Sequence, residues 1–186
     1  MSHFNIYAHG SLAEQISDEI HVPIAKCYQC GKCSAGCPVA TEMDYPPSVI
    51  MRLIQTQSKV NDEKVLRSYA VWMCVTCEMC YGRCPMEIDI PKVMDLMREK
   101  SLNAKKVNPR AKNIVKFHKA FLGSVKSSGR LSEFGLILGY KMSTFNLTQD
   151  VGLAPKMISR GKLHFMPEKI KDRANISRIF KKTLNK

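Results

Sequence analysis

All eight cysteines of this 186-residue chain fall in two short runs, "CYQCGKCSAGCPVA" from Cys27 and "CVTCEMCYGRCPME" from Cys74. Each run reads C-x2-C-x2-C-x3-C-P. The first holds Cys27, Cys30, Cys33 and Cys37 before Pro38, and the second holds Cys74, Cys77, Cys80 and Cys84 before Pro85. Thiolates are soft metal ligands, and this spacing is a pattern for four-iron clusters. A cubane needs thiolates at the corners of a tetrahedron. Three cysteines at successive three-residue steps can wrap one turn of chain around three irons. The fourth is displaced by an extra residue, and the proline after it turns the chain away, so it is better placed to reach a second cluster. Zinc is the competing metal, but zinc sites draw two cysteines from each of two separated pairs or mix cysteine with histidine. No histidine lies in either run. His3, His9, His21, His118 and His164 are scattered, and His118 is expected to pack in a core. With every cysteine in a run, no thiol is left over for thiol–disulfide exchange. A disulfide framework is not expected either, because clustering this local cannot staple distant loops.

The elements that must position these residues read as helices. Ser11-Leu12-Ala13-Glu14 predicts a capping box and a helix to about Ile20, broken by Pro23. Pro46 and Pro47 suit the first turn of the next, with Val49, Ile50, Leu53 and Ile54 as its apolar face. Asn61 is expected to cap a third, with Asp62 and Glu63 at the positive end of its dipole. Val65, Tyr69 and Trp72 carry that helix directly into Cys74. A helix from about Pro91 turns Val93, Met94, Leu96 and Met97 inward. Another starts at Asn108-Pro109, bears a stripe of Ile114, Phe117, His118, Phe121, Leu122 and Val125, and stops near Gly129. Shorter helices are expected within 130–143, 154–162 and 167–182. No alternating strand pattern of any length occurs. The stretch 38–73 between the two runs reads as two helices and not as a β-hairpin.

That helical linker departs from compact ferredoxins. It resembles the α-helical ferredoxin domain, the type also found in succinate dehydrogenase iron–sulfur subunits and glycerol-3-phosphate dehydrogenase C subunits. The cysteine runs, with "WMCVTCEMCYGRCPMEIDIPKVM" quoted in full, closely resemble the C subunits of the heterodisulfide reductases of methanogens. Less specific likeness continues in "GRLSE" (129–133), "APKMISRGKL" (154–163) and "PEKIKDRANISRIFKK" (167–182). The resemblance implies a mostly α fold: an α-helical ferredoxin domain over 1–104 with two [4Fe-4S] clusters, then a helical C-terminal extension over 105–186. That extension is expected to dock other subunits, against the alternative of a helical cap over the clusters. The ferredoxin pattern exchanges the fourth ligands. It implies one cluster on Cys27, Cys30, Cys33 and Cys84 and a second on Cys74, Cys77, Cys80 and Cys37. The implied role is single-electron transfer from a flavin-bearing A subunit to a B subunit that reduces the CoM-S-S-CoB heterodisulfide in methanogenesis, within a larger complex that includes a hydrogenase. No catalytic residue is expected, and no catalysis from the isolated chain. No cysteine-rich B-type motif follows the second run, so a separate C subunit is expected and not a C–B fusion. The alternatives are the same two-cluster wire in a heterodisulfide-reductase-like or anaerobic dehydrogenase complex, or a regulatory iron–sulfur protein that binds nucleic acid.

Charge and composition narrow these classes. The formal net charge is +13. Two oxidised clusters with their thiolates, each about −2, would leave roughly +9. Lys181-Lys182 is too short for a nucleic-acid patch, and the aromatic residues show no stacking pattern. No apolar stretch is long enough to span a bilayer, and the N-terminus lacks secretory features, so a cytoplasmic protein is expected. No G-x-G-x-x-G fingerprint for flavin or nucleotide follows a strand. Lys26, Lys32 and Arg83 stand beside ligands, where they either raise cluster potential or are simply solvated. Met73, Met79 and Met86 around the second run either exclude water from a cluster or fill space.

Overall fold

A computed structural model describes residues 10–145, 151–161, 170 and 172–184. Parts of two expected helices, residue 162 of the first and 167–169 with Lys171 of the second, lie outside these residues. The chain forms two compact units that divide between Ala111 and Lys112. Among the described residues there are helices and turns and no strand.

In the first unit, helix α1 (Leu12–Ile20) begins at the expected capping box. Ser11 Oγ accepts from Glu14 N at 3.2 Å, and Glu14 Oε2 accepts from Ser11 N at 2.7 Å. Leu12, Ile16 and Ile20 recur every four residues and are buried. Helix α2 (Lys32–Ala35) lies within the first cysteine run. Helix α3 (Pro47–Gln55) starts as the paired prolines predict. Its inner face is Pro47, Ile50, Met51 and Ile54, not the expected set. Met51 is fully buried, while Val49 is 38% exposed. A helical repeat says that a stripe exists, but the neighbouring elements, above all the helix that follows, decide which way it turns.

Helix α4 (Lys59–Leu66) starts after Ser58, which takes the N-cap position in place of Asn61. Asn61 lies inside the first turn, and its amide donates to Thr56 Oγ1 at 2.9 Å. The continuous helix expected from there to Cys74 is in fact two. Helix α4 ends at Leu66, and α5 (Ala70–Met73) begins after a break at Ser68-Tyr69. The cause is Asp44, from the loop before α3. Its carboxylate accepts from Ser68 Oγ (2.6 Å), Tyr69 N (2.8 Å) and Ala70 N (2.9 Å). A side chain from about 25 residues away thus performs the work of an N-cap. Burial pushes the Asp44 carboxyl up, but these bonds and one from Tyr45 N together hold it below the usual value.

Helix α6 (Met79–Gly82) lies in the second cysteine run. Helix α7 (Ile90–Asn103) is capped by Asp89, whose side chain accepts from Lys92 N at 2.9 Å. Val93, Met94 and Met97 are buried as expected, and Leu96 is half-buried. Each fully buried side chain of this kind contributes about 1.5–3 kcal/mol. The segment after α7 folds back onto α4 and α5. Asn108 Nδ2 donates to Arg67 O at 2.7 Å, and the Arg110 guanidinium sits 4.1 Å from the Tyr69 ring centre.

The second unit contains α8 (Lys112–Ser128), α9 (Glu133–Thr144), α10 (Ala154–Ser159) and α11 (Arg173–Leu184). Gly129 ends α8 with φ of 87°. A Cβ there would stand 2.2 Å from Ile170, so both conformation and space require glycine. Ser132 caps α9, accepting from Gly135 N at 3.2 Å. Phe117 of α8 meets Tyr140 of α9 edge-on at 5.8 Å. The expected core histidine is not one, since His118 is exposed. Within this unit α8 packs mainly against α9 and α11, and they cover only part of its apolar stripe.

Candidate iron–sulfur site

The two cysteine runs fold alike because the same positions turn the chain the same way. The second residue after the first cysteine, Gln29 or Thr76, is left-handed with φ of 61° and 52°. So is the fourth, Gly31 or Glu78, with φ of 77° and 61°. These reversals bend the chain around a central space before a short helix, α2 or α6, delivers the third cysteine. Thr76 is β-branched, and holding it there costs roughly 1–3 kcal/mol, strain of the kind kept at functional sites.

The eight thiols border two separate hollows. Cys27, Cys30 and Cys33 border one together with Cys84, and its other lining includes Ser48 and Ile88. Cys74, Cys77 and Cys80 border the other together with Cys37, alongside Val39, Met43 and Met94. The atom-free space is about 320 Å³ in the first and about 360 Å³ in the second, each including its open mouth. Ile90, at the start of α7 and almost wholly buried, lines both. Burial follows one pattern in each hollow. The third cysteine of the run (Cys33, Cys80) is buried, the second (Cys30, Cys77) is exposed, and the other four are half-buried.

The residues fit a four-iron cubane. Each hollow offers four thiols, and no carboxylate or histidine is among its lining residues. Among the described residues no three His, Cys, Asp or Glu side chains converge on a point that a single ion could occupy. A cubane takes its four thiolates around a space, whereas zinc would draw them to about 2.3 Å from one centre. Burial pushes the Cys33 and Cys74 thiols up. Burial and then the neighbouring Cys74 push Cys80 up to about 12. Metal binding must therefore displace protons from these thiols.

Residues with no motif of their own hold the loops in place. Gln55, at the end of α3, donates from Nε2 to Cys27 O (2.6 Å) and Ile24 O (3.1 Å). Its Oε1 accepts from Gln29 Nε2, which also lies 3.4 Å from Cys27 Sγ. Arg98 of α7 donates from Nε to Val71 O at 2.6 Å and from Nη2 to Cys74 O. Neither residue stands near a cysteine in sequence. Of the charges beside the runs, Lys26, Lys32 and Arg83 are all exposed. Among the three methionines near the second run, Met79 lines its hollow.

Comparison with known proteins agrees with this geometry. Residues 23–88 match the 4Fe-4S dicluster domain family. The chain carries two [4Fe-4S] clusters. The chain is also 36% identical over 99 residues to the iron–sulfur C subunit of CoB–CoM heterodisulfide reductase from Methanopyrus kandleri, covering 52% of this chain and 48% of the relative. It is 33% identical over 97 residues to the C subunit of ferredoxin:CoB-CoM heterodisulfide reductase from Methanosarcina acetivorans (50% and 38%). With the C subunit of H(2):CoB-CoM heterodisulfide,ferredoxin reductase from Methanothermobacter thermautotrophicus the identity is 29% over 117 residues (61% and 62%). The resemblance to heterodisulfide reductase C subunits holds. The matched part of this chain spans between about two fifths and three fifths of those relatives' lengths. The dicluster domain gives the chain an iron–sulfur, electron-transferring role. Among the described residues no helix is long and apolar enough to cross a membrane.

Proposed function

We propose that this chain is the electron-transferring C subunit of a heterodisulfide reductase complex. Single electrons come from a flavin-bearing A subunit and leave to a B subunit, where the mixed disulfide of coenzyme M and coenzyme B is reduced. The complex in turn associates with a hydrogenase. One cluster is assigned to Cys27, Cys30, Cys33 and Cys84, the other to Cys74, Cys77, Cys80 and Cys37. The observation that carries this assignment is the lining of the two hollows, each bordered by three thiols of one run and the last of the other. Each ligand set then ties both runs together, so metal binding and folding of the first unit support each other.

When bound, a [4Fe-4S] cluster with four thiolate ligands accepts and returns one electron and carries out no bond chemistry of its own. The chain's residues supply the rest. Ile90 forms the wall shared by the two hollows. Cys33 and Cys80 root each site in the core, while Cys30 and Cys77 bring its edge to the surface. Exposed Tyr28 lies beside Cys30, and exposed Val75, Met79 and Tyr81 lie around Cys77 and Cys80. These side chains offer apolar contact to partners at the points where electrons must cross. The helical extension, from Lys112 on, docks those partners, and the isolated chain performs no catalysis.

Anaerobic native purification followed by mass spectrometry tests the proposal. A flavin-bearing A-type protein and a cysteine-rich B-type protein are the expected companions. A dehydrogenase flavoprotein with no B-type protein would assign the same wire to another complex and end this reading.

A further inference from the structure

The two cysteine runs are held by equivalent clamps of different charge. In the first, Gln55 Nε2 donates to the carbonyls of Cys27 and of Ile24, three residues before it. In the second, Arg98 donates to the carbonyls of Cys74 and of Val71, again three residues before it. The same two backbone acceptors are taken in each half. One half uses a neutral amide from α3, the other a guanidinium from α7. The Arg98 side chain is only 19% exposed.

We propose that Arg98 is a positioning residue that breaks the redox symmetry of the chain, holding the cluster of Cys37, Cys74, Cys77 and Cys80 at a higher potential than that of Cys27, Cys30, Cys33 and Cys84. The proposal rests on the ligand sets assigned above. Reduction adds negative charge to a cluster, so a nearby cation favours the reduced form, and more strongly where water is excluded. Asp95 offsets part of this, since its Oδ1 lies 2.5 Å from Arg98 Nη1. That carboxylate is 53% exposed, however, and the guanidinium stands between it and the Cys74 carbonyl. The other cations do not restore the symmetry. Lys32 does line the hollow of Cys27, Cys30, Cys33 and Cys84, but it is exposed, as are Lys26 and Arg83, and water screens all three. Arg83 also lies across Gly36, next to Cys37 of one ligand set, and precedes Cys84 of the other. Neutral N–H donors reach sulfur in both halves. Gln29 Nε2 and Ile88 N lie 3.4 Å from Cys27 and Cys84, and backbone groups of Thr76 and Tyr81 bond Cys74 and Cys80. They leave Arg98 as the half-buried guanidinium clamp that one half has and the other lacks. An electron entering the chain therefore settles on the second cluster.

The test is an EPR-monitored redox titration of the full-length protein with both clusters assembled, comparing wild type with Arg98→Gln, Arg98→Lys and Asp95→Asn. Iron and labile sulfide are measured on each sample. Arg98→Gln copies the neutral clamp of the first half. It should lower the higher-potential wave, leave the lower one in place and narrow the gap. The expected change is about tenfold in electron partition between the clusters, or about 59 mV for a one-electron couple. Arg98→Lys should keep most of the gap, and Asp95→Asn should widen it. The proposal fails if Arg98→Gln moves neither wave or lowers the lower one, or if Arg98→Lys narrows the gap as much as Arg98→Gln. Should Arg98→Gln lose a cluster, Asp95→Asn decides, and an unchanged gap there overturns the proposal. A wild-type protein without two clusters would instead refute the ligand assignment.

Discussion

The two units of this chain treat apolar side chains in opposite ways. The first buries them: Leu12, Ile16, Ile50, Met51, Ile54, Leu66 and Met97 are all essentially inaccessible. In the second, the buried positions among the described residues are Ser124, Ser128 and Ser132. Phe117, Phe121, Leu122, Ile137, Leu138 and Met142 are exposed there. A unit whose helices cover one another has the contacts to hold a metal site in fixed geometry. A unit that leaves large side chains in water has apolar area still to be buried, and a partner surface can supply that burial.

The sharpest way to break this contrast is to remove residues 112–186. The shortened chain should keep about eight irons and eight labile sulfides, as two four-iron clusters require. It should lose its partners in a native pull-down. Loss of iron with aggregation would instead make the second unit a cap over the clusters.

Cysteine replacements test the first unit next. Cys84→Ser should damage the site of Cys27, Cys30 and Cys33 and spare the other, removing up to about half of the iron. Its surviving EPR spectrum should match that of Cys27→Ser. A match to Cys74→Ser would mean that Cys84 serves its own run.

A smaller difference is expected between the two sites in their response to acid. Two thiols of the Cys37/Cys74/Cys77/Cys80 group, Cys74 and Cys80, are pushed up, Cys80 to about 12. In the other group burial raises Cys33. A raised thiol holds its proton, and ligation requires thiolate, so lowering the pH opposes assembly. Anaerobic reconstitution followed by EPR should show the Cys74 site failing at a higher pH than the Cys27 site. The reverse order would show that burial of these thiols does not govern assembly.

The mildest effect belongs to Asp44. Asp44→Ala should cost about 1–2 kcal/mol in denaturant unfolding, the range for a lost helix cap, because α5 loses its distant acceptor. The folded-state value lies below the ordinary one, so the carboxylate's contribution is present above about pH 4 and fades as pH falls through the lower, folded value. The variant should therefore show a flatter acid limb than wild type. An unchanged limb would leave Asp44 no role in capping.

Much of this was legible in the sequence wherever the physics is local. The capping box of Ser11 and Glu14 closes within one helical turn, and the left-handed backbone at Gly129 is a local reason for its stop. The cysteine spacing marks both runs as four-iron ligands, because three-residue steps let successive thiols of one run reach around a common centre. The left-handed turns at Thr76 and Glu78 were not legible, since no rule for glycine would single those residues out.

What only the tertiary structure decided involves contacts between segments far apart in the chain. Periodicity marked an apolar face on α3, but the packing of its neighbours turned Met51 inward and Val49 outward. Propensity extended α4 into Cys74, and Asp44 broke it from about 25 residues away. The clamps on the cysteine loops are equally remote. Gln55 stands 28 residues after Cys27, and Arg98 stands 24 residues after Cys74. The offsets differ, so the repeat of the cysteines does not predict them. A ligand's identity is written in short-range spacing that the covalent chain enforces. The charge placed behind that ligand depends on how whole helices pack, and packing has no fixed interval in sequence.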